Sequence, residues 1–399
     1  MAVPRDTVTK ALVLLGCVTF AAVAIISGID RQALGRPSLA KRVPTAFAAV
    51  SPLAVGQSAL YSANYPVALA NAELAVRNAP VEPESAALLG AARLGMNDPA
   101  GADQAFRVAG QLGWRVALAQ AYWMAQALTV RDYKVAALRL DALLRQHPWM
   151  LEQSPLIAAL DASESGRAAL ADRLMTRPPW AALYASNVSM IPDYAVAQRA
   201  QVLRAVAAKG LILGCDAVAP TTRRLILQNA VAAAAELWRA HCPEAGTGTL
   251  TDPEFGFLRV SGARTPLEWD MLGSSDVGMV VVTPVLGPKT GRANMVDIHT
   301  SAAVPRAIMR QGLTAQPGRY RLTWQASGTE GSASAQITAS LGCQPDQTAS
   351  VQAVRVPGQT LWTADVTIGA DCALHWLVFW IHPGVSDVRF GPVRLEPLR

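Results

Sequence analysis

Residues 318–328 read "GRYRLTWQASG", in which Tyr320, Leu322, Trp324 and Ala326 alternate with Arg321, Thr323 and Gln325. That period of two belongs to a strand with one buried face. The alternation returns in "ASAQITASLGC" (333–343), where Ile337, Ala339, Leu341 and Cys343 share a side. "CALHWLVFWI" (372–381) is apolar at nearly every position and reads as a central strand covered on both faces, with Trp324 and Trp376 as core residues. Turns such as "QPGR", "CQPD" and "HPGV" separate these runs. About eight short strands predict an all-β sandwich or jelly roll over 246–399.

Upstream, "CPEAGTGTLTDPEFG" (242–256) marks the change of class, because residues 53–245 are alanine-rich and carry a helical pattern. At a period of 34, Ala68, Ala102 and Ala136 fall in register, as do Tyr65, Pro99 and Tyr133, and Pro80, Trp114 and Pro148. "NYPVALANAELAVRNAP" (64–80) and "RDYKVAALRLDALLRQHP" (131–148) resemble second helices of tetratricopeptide repeats, whose period is also 34. Small alanines at the crossing point let helices approach closely, and the closing proline cannot continue a helix. The register weakens after Pro148, and the rest of the region is helical by pattern alone. The resemblance implies an all-α solenoid whose concave groove holds a protein partner.

At 399 residues the chain has room for two domains and an anchor. "ALVLLGCVTFAAVAIISGI" (11–29) carries no charge and is long enough to span the ~30 Å hydrocarbon layer as a helix. Residues 1–29 are therefore expected to be a transmembrane anchor, with a cleaved signal peptide as the alternative. Residues 30–52 mix prolines, basic and small residues, as a linker would. Arg31, Arg36, Lys41 and Arg42 after the span outnumber Arg5 and Lys10 before it, which by the positive-inside rule places the bulk in the cytoplasm. The short tail before an apolar run argues the other way, for soluble domains in the periplasm on a single-pass bacterial inner-membrane anchor. The cysteines agree with that side. Cys215 and Cys242, then Cys343 and Cys372, fall two in each soluble part, permitting one disulfide per domain in an oxidising compartment, or else four buried thiols.

The net charge is +6, but the basic residues are scattered, so no nucleic-acid footprint is present. No G-x-S-x-G elbow, H-E-x-x-H helix, Walker loop or dinucleotide fingerprint occurs. "LGPKTG" (286–291) only mimics a phosphate loop. His375 and His382, seven apart with Asp371 nearby, point to opposite sides of a strand, so no shared metal, and no cofactor, is expected.

The carboxy-terminal layout resembles the β-sandwich carbohydrate-binding modules found beside glycoside hydrolases. The resemblance runs through "TDPEFG" (251–256), "TPLEWDM" (265–271), "AIMRQGLTAQPGRYRLTWQASG" (307–328) and "VRFGPVRL" (388–395). Gly391 and Pro392 stand where the family usually carries paired aspartates, which removes any contact those would make. The resemblance implies glycan binding. Trp269 and Trp362, among polar or turn residues, are the candidate stacking platforms, with Glu268, Asp270 and Gln359 as hydroxyl partners. Two other functions fit the same residues. One is a purely protein-binding envelope scaffold; the other is a glycosidase using Glu268 and Asp270 as its carboxylates. The expected protein is a non-catalytic glycan- and protein-binding scaffold, in exopolysaccharide export or assembly.

Overall fold

The computed structural model describes residues 5–113, 115–152, 155–243, 246, 248–258, 264–282, 294–328, 337–384 and 386–398. Trp114 and the "LGPKTG" segment lie outside them. The chain forms two compact units, 1–150 and 151–399.

The first unit opens with α1 (Arg5–Gln32). Its Leu12–Gln32 portion is long and apolar enough to cross a membrane, as an anchor or a signal sequence is. Leu14, Phe20 and Ile25 stand exposed along it. Then come α2 (Ser51–Tyr61), α3 (Tyr65–Asn78), α4 (Pro83–Gly95), α5 (Pro99–Leu112), α6 (Ala117–Thr129) and α7 (Tyr133–Leu144). The carboxylate of Asp30 near the end of α1 receives Val50 N and Ser51 N at 2.8 Å each and Ala49 N at 3.1 Å. It also receives the Ser51 hydroxyl, so Asp30 caps α2 from a distance.

Three turns of this unit are built alike. Ala63, Asn97 and Arg131 take φ of 55°, 63° and 59°, the left-handed conformation that ends a helix. The following Asn64, Asp98 and Asp132 each donate a backbone N–H five residues back, to Ala59, Arg93 and Ala127 at 2.8, 2.9 and 2.8 Å. Their side chains accept from Val67 N, Gly101 N and Val135 N at 3.5, 2.9 and 3.1 Å. One residue thus closes a helix and caps the next. Ala68, Ala102 and Ala136, in the first turns of α3, α5 and α7, are fully buried. Between helices, Phe106 stacks on Tyr122 with ring centroids 4.1 Å apart. A Cβ on Gly90 would stand 2.8 Å from that Phe106 ring, which is why α4 keeps a glycine there.

The second unit begins with α8 (Pro155–Ala162), α9 (Glu164–Leu174), α10 (Ala181–Ser186), α11 (Asp193–Ala208), α12 (Cys215–Leu227) and α13 (Val231–His241). At their centre Asp161, 1% exposed, lies 3.6 Å from Arg199 and accepts from the Tyr184 hydroxyl at 2.6 Å. Arg199 also donates to the carbonyls of Tyr184 and Asn187. Burial pushes the Asp161 carboxyl above its ordinary range, against the pull of Arg199.

Eleven strands follow among the described residues: β1 (Asp270–Met271), β2 (Val277–Val282), β3 (Met295–Thr300), β4 (Arg306–Leu313), β5 (Gly318–Gly328), β6 (Ile337–Gln344), β7 (Gln347–Ser350), β8 (Val354–Arg355), β9 (Leu361–Ile368), β10 (His375–Ile381) and β11 (Ser386–Pro397). They make antiparallel sheets ordered β1-β4-β10-β6-β7 and β2-β3-β11-β5-β9-β8. Phe379 of the first sheet meets Trp324 and Phe390 of the second, with centroids 5.6 and 4.8 Å apart. The two sheets therefore share one core. Tyr320, Leu322, Trp324 and Ala326 are all buried in it, as the alternation in β5 predicts. β10 is central to its sheet, yet only Leu377, Phe379 and Ile381 enter this core. Trp376, expected inside, is half-buried on the opposite face with Trp380. The reason is phase: in a strand, neighbours of Leu377 and Phe379 must point away from them.

Both expected cysteine pairs are bonded. Cys215–Cys242 joins α12 to the residue after α13, with Cα atoms 4.9 Å apart, and Cys343–Cys372 joins β6 to the loop before β10, at 5.7 Å.

Candidate ligand site beside the first strand

The segment between α13 and β1 builds the site. Gln311 on β4 donates to Thr251 O at 2.9 Å and accepts from Thr251 N at 3.1 Å, pinning the segment to the first sheet. Asp252 then folds it back: its carboxylate accepts Gly256 N at 2.7 Å and Phe257 N at 2.9 Å, and its carbonyl accepts Trp269 Nε1 at 3.0 Å. Burial raises the Asp252 carboxyl above its ordinary range, and the two amides oppose this.

A cavity of about 380 Å³ opens here, with Leu213, Trp238, Phe257, Leu258 and Trp269 as apolar walls and Asp216, Asp252, Arg264 and Glu268 as polar ones. That volume falls in the ~300–1,000 Å³ range of small-ligand sites, as does the mix of aromatic wall and few polar groups. The buried Nε1 of Trp238 has no hydrogen-bond partner among the described residues. Leaving such a donor unmet costs roughly 1–3 kcal/mol.

The cavity continues into a rim. Arg264 Nη1 reaches Asp270 Oδ1 at 3.0 Å, and Asp270 Oδ2 takes Nε and Nη2 of Arg310, each at 3.0 Å. The register that sets Asp270 opposite Arg310 makes this pair unavoidable. The Arg310 guanidinium in turn lies 5.7 Å from the Trp376 ring centroid, within cation–π range. An aromatic and hydrogen-bonding strip, with two arginines on one aspartate, therefore adjoins the cavity.

The candidates from the sequence divide between two places. Trp269, Glu268 and Asp270 meet at the cavity and its rim. Trp269 is 3% exposed, so it is a wall and offers no open face for stacking. Its indole is drawn inward by the bond to Asp252 and by the rings of Phe255 and Phe379, 5.5 and 6.1 Å away. Trp362 belongs to the other sheet, half-buried and stacked on Trp324 at 6.3 Å, while Gln359 sits exposed in the turn before β9 with its carbonyl taken by Arg355. Trp362 completes the inward stripe Trp362, Ala364, Val366, Ile368, a pattern that argues core over platform. Both oxygens of Asp270 are held by arginines and Glu268 accepts from Thr265 N at 2.8 Å. Trp238, Arg264, Arg310 and Trp376 were not singled out as ligand residues. None carries a sequence signal for it, because the unbroken apolar run of "HWLVFWI" does not show which phase faces outward. His382 Nε2 lies 2.9 Å from Thr338 Oγ1.

No protein-family model matches the chain, and no curated protein matches it. Among solved structures, TmCBM61 in complex with beta-1,4-galactotriose is similar over 38% of this chain and 100% of its own, at 15% identity and a TM-score of 0.27. The enzymatically active domain of bacteriophage CBA120 tailspike protein 4 is similar over 33% of this chain and 19% of its own, at 13% identity and a TM-score of 0.24. Likeness at this level says nothing of a shared ligand.

Proposed function

We propose that the chain is a membrane-anchored, non-catalytic binding protein of the bacterial envelope. Its β-sandwich holds a glycan at the cavity and rim, and its tetratricopeptide-like helices dock a protein partner, in the export or assembly of an exopolysaccharide. The observation that carries this reading is the continuity from the aromatic-walled cavity through Arg264, Asp270 and Arg310 to Trp376. Sugar rings have apolar C–H faces that suit indole and hydroxyls that need donors and acceptors, and this strip alternates the two. The membrane helix and the two disulfides support a periplasmic location, against the flanking charges.

The test is a titration of the detergent-solubilised protein with bacterial oligosaccharides and exopolysaccharides, followed by tryptophan fluorescence. A saturable change is expected, weakened more than about tenfold, or about 1.4 kcal/mol, by Trp376→Ala and by Glu268→Gln. Absence of any saturable response across a broad panel overturns the glycan reading.

A purely protein-binding scaffold is the second reading. Its support is a groove of about 520 Å³ in the first unit, flanked by Tyr61 and Trp149, which are 92% and 56% exposed. Aromatic residues left open beside a groove are the common anchors of protein interfaces.

A further inference from the structure

The end of β6 and the loop before β10 gather four metal-binding side chains. Trp376 pairs with Gly342, so His375 and Cys343 meet one step further along, where cross-strand Cβ atoms lie ~4.5–5.5 Å apart. Asp371 and Cys372 arrive on the loop just before. One ligand atom from each of Cys343, Asp371, Cys372 and His375 lies within 4.8 Å of the other three. Cys343 Sγ is 3.2 Å from Asp371 Oδ2, Cys372 Sγ is 3.3 Å from His375 Nε2, and His375 Nε2 is 3.5 Å from Asp371 Oδ1.

Tetrahedral zinc, with bonds of about 2.3 Å to sulfur and about 2.0–2.1 Å to nitrogen or oxygen, sets its ligands roughly 3.3–3.8 Å apart. Two edges, Cys372–His375 and His375–Asp371, already have that spacing, and on a third Cys343 reaches the other Asp371 oxygen at 3.2 Å. A fourth, between the two sulfurs, is closed by the Cys343–Cys372 bond. The same sulfurs cannot be a disulfide and two thiolate ligands at once, so the redox state chooses between them.

We propose that Cys343, Asp371, Cys372 and His375 are a redox-gated zinc site, a disulfide when oxidised and a Cys2HisAsp zinc centre when reduced. A dithiol reductant attacks one sulfur, and its second thiol closes the resulting mixed disulfide to leave an oxidised reductant and two protein thiols. Zn²⁺ then displaces both thiol protons to solvent, and His375 Nε2 and one Asp371 oxygen complete the tetrahedron. Thiolate and imidazole favour zinc over calcium or magnesium, which prefer all-oxygen shells. His375 is buried and fixed, whereas Asp371 is 70% exposed at its side chain and has room to swing onto the metal.

The experiment uses the full chain in detergent, reduced with a phosphine, stripped of metal and titrated with Co²⁺. One equivalent should bind with tetrahedral d–d bands and a sulfur-to-cobalt charge-transfer band, all removed by Zn²⁺, while unreduced protein shows none. The bands should persist in the Cys215→Ser, Cys242→Ser double variant. Asp371→Asn, on a side chain 70% exposed, should weaken binding at least tenfold with both thiols intact. His375→Ala should shift the d–d bands. Reduced protein with four titratable soluble-part thiols and no thiolate–cobalt band overturns the proposal, as does a band insensitive to Asp371→Asn or lost with Cys215 and Cys242.

Discussion

The ring of Phe255 stands where a Cβ on Gly391 would be, 2.4 Å from Phe255 Cε2. Gly391 also takes φ of 114°, outside the conformations open to other residues. Gly391→Ala is expected to lower the unfolding free energy of the second unit by about 2–4 kcal/mol, from strain and overpacking together. Denaturant titration measures it, and a change below about 0.5 kcal/mol would refute the packing argument. The same contact explains why residue 391 is glycine: the segment before β1 has filled the space with a ring.

Asp161 and Arg199 test whether the later helices rest on a buried charge. Removing one partner strands the other, so Asp161→Ala should cost about 3–5 kcal/mol. Asp161→Asn, which keeps a group for the Tyr184 hydroxyl, should cost less. Equal losses in thermal melts would show that the carboxylate's charge is irrelevant.

Asp30 makes a different prediction, because it serves the three successive backbone amides that lead into α2. Asp30→Ala should remove about 2 kcal/mol of local stability. Amide exchange at residues 49–51 should quicken more than tenfold, leaving α5 and α7 unaffected; unchanged exchange would mean that α2 needs no cap from α1.

Glu82 supplies a pH dependence. A hydrogen bond that the protonated Glu82 carboxyl donates to Glu84, then burial, then the Glu84 charge push its pKa up to about 7 from 4.5. The folded form therefore holds a proton that the unfolded chain releases earlier. Its contribution to stability is full below pH 4.5 and disappears as pH rises through about 7. Stability of the first unit measured across that window should fall with rising pH, and Glu84→Gln should flatten the slope.

Much of this architecture is legible in residue order. The two-residue alternation of β5 follows from strand geometry, and the 34-residue register of Ala68, Ala102 and Ala136 appears as three buried alanines in the first turns of α3, α5 and α7. The tryptophans were harder. Trp362 reads as isolated beside Gln359, although its stripe with Ala364 and Val366 places it inward. In "HWLVFWI" an unbroken apolar run hides which phase faces the core, and so concealed Trp376 at the rim. Trp238 and Arg264 join Trp269 only because the chain folds α12, α13 and the β1 approach together, and no local pattern records such a meeting. The cluster of Cys343, Asp371, Cys372 and His375 leaves no local pattern for the same reason: its members meet across the sheet and not along one strand.

Asn64, Asp98 and Asp132 each finish one helix and start another. A single inserted or deleted residue at any of these positions would separate the two tasks, leaving one helix without its terminal hydrogen bond and the next without its cap. A length change at any of these three turns, spaced 34 residues apart, thus falls on two helices at once.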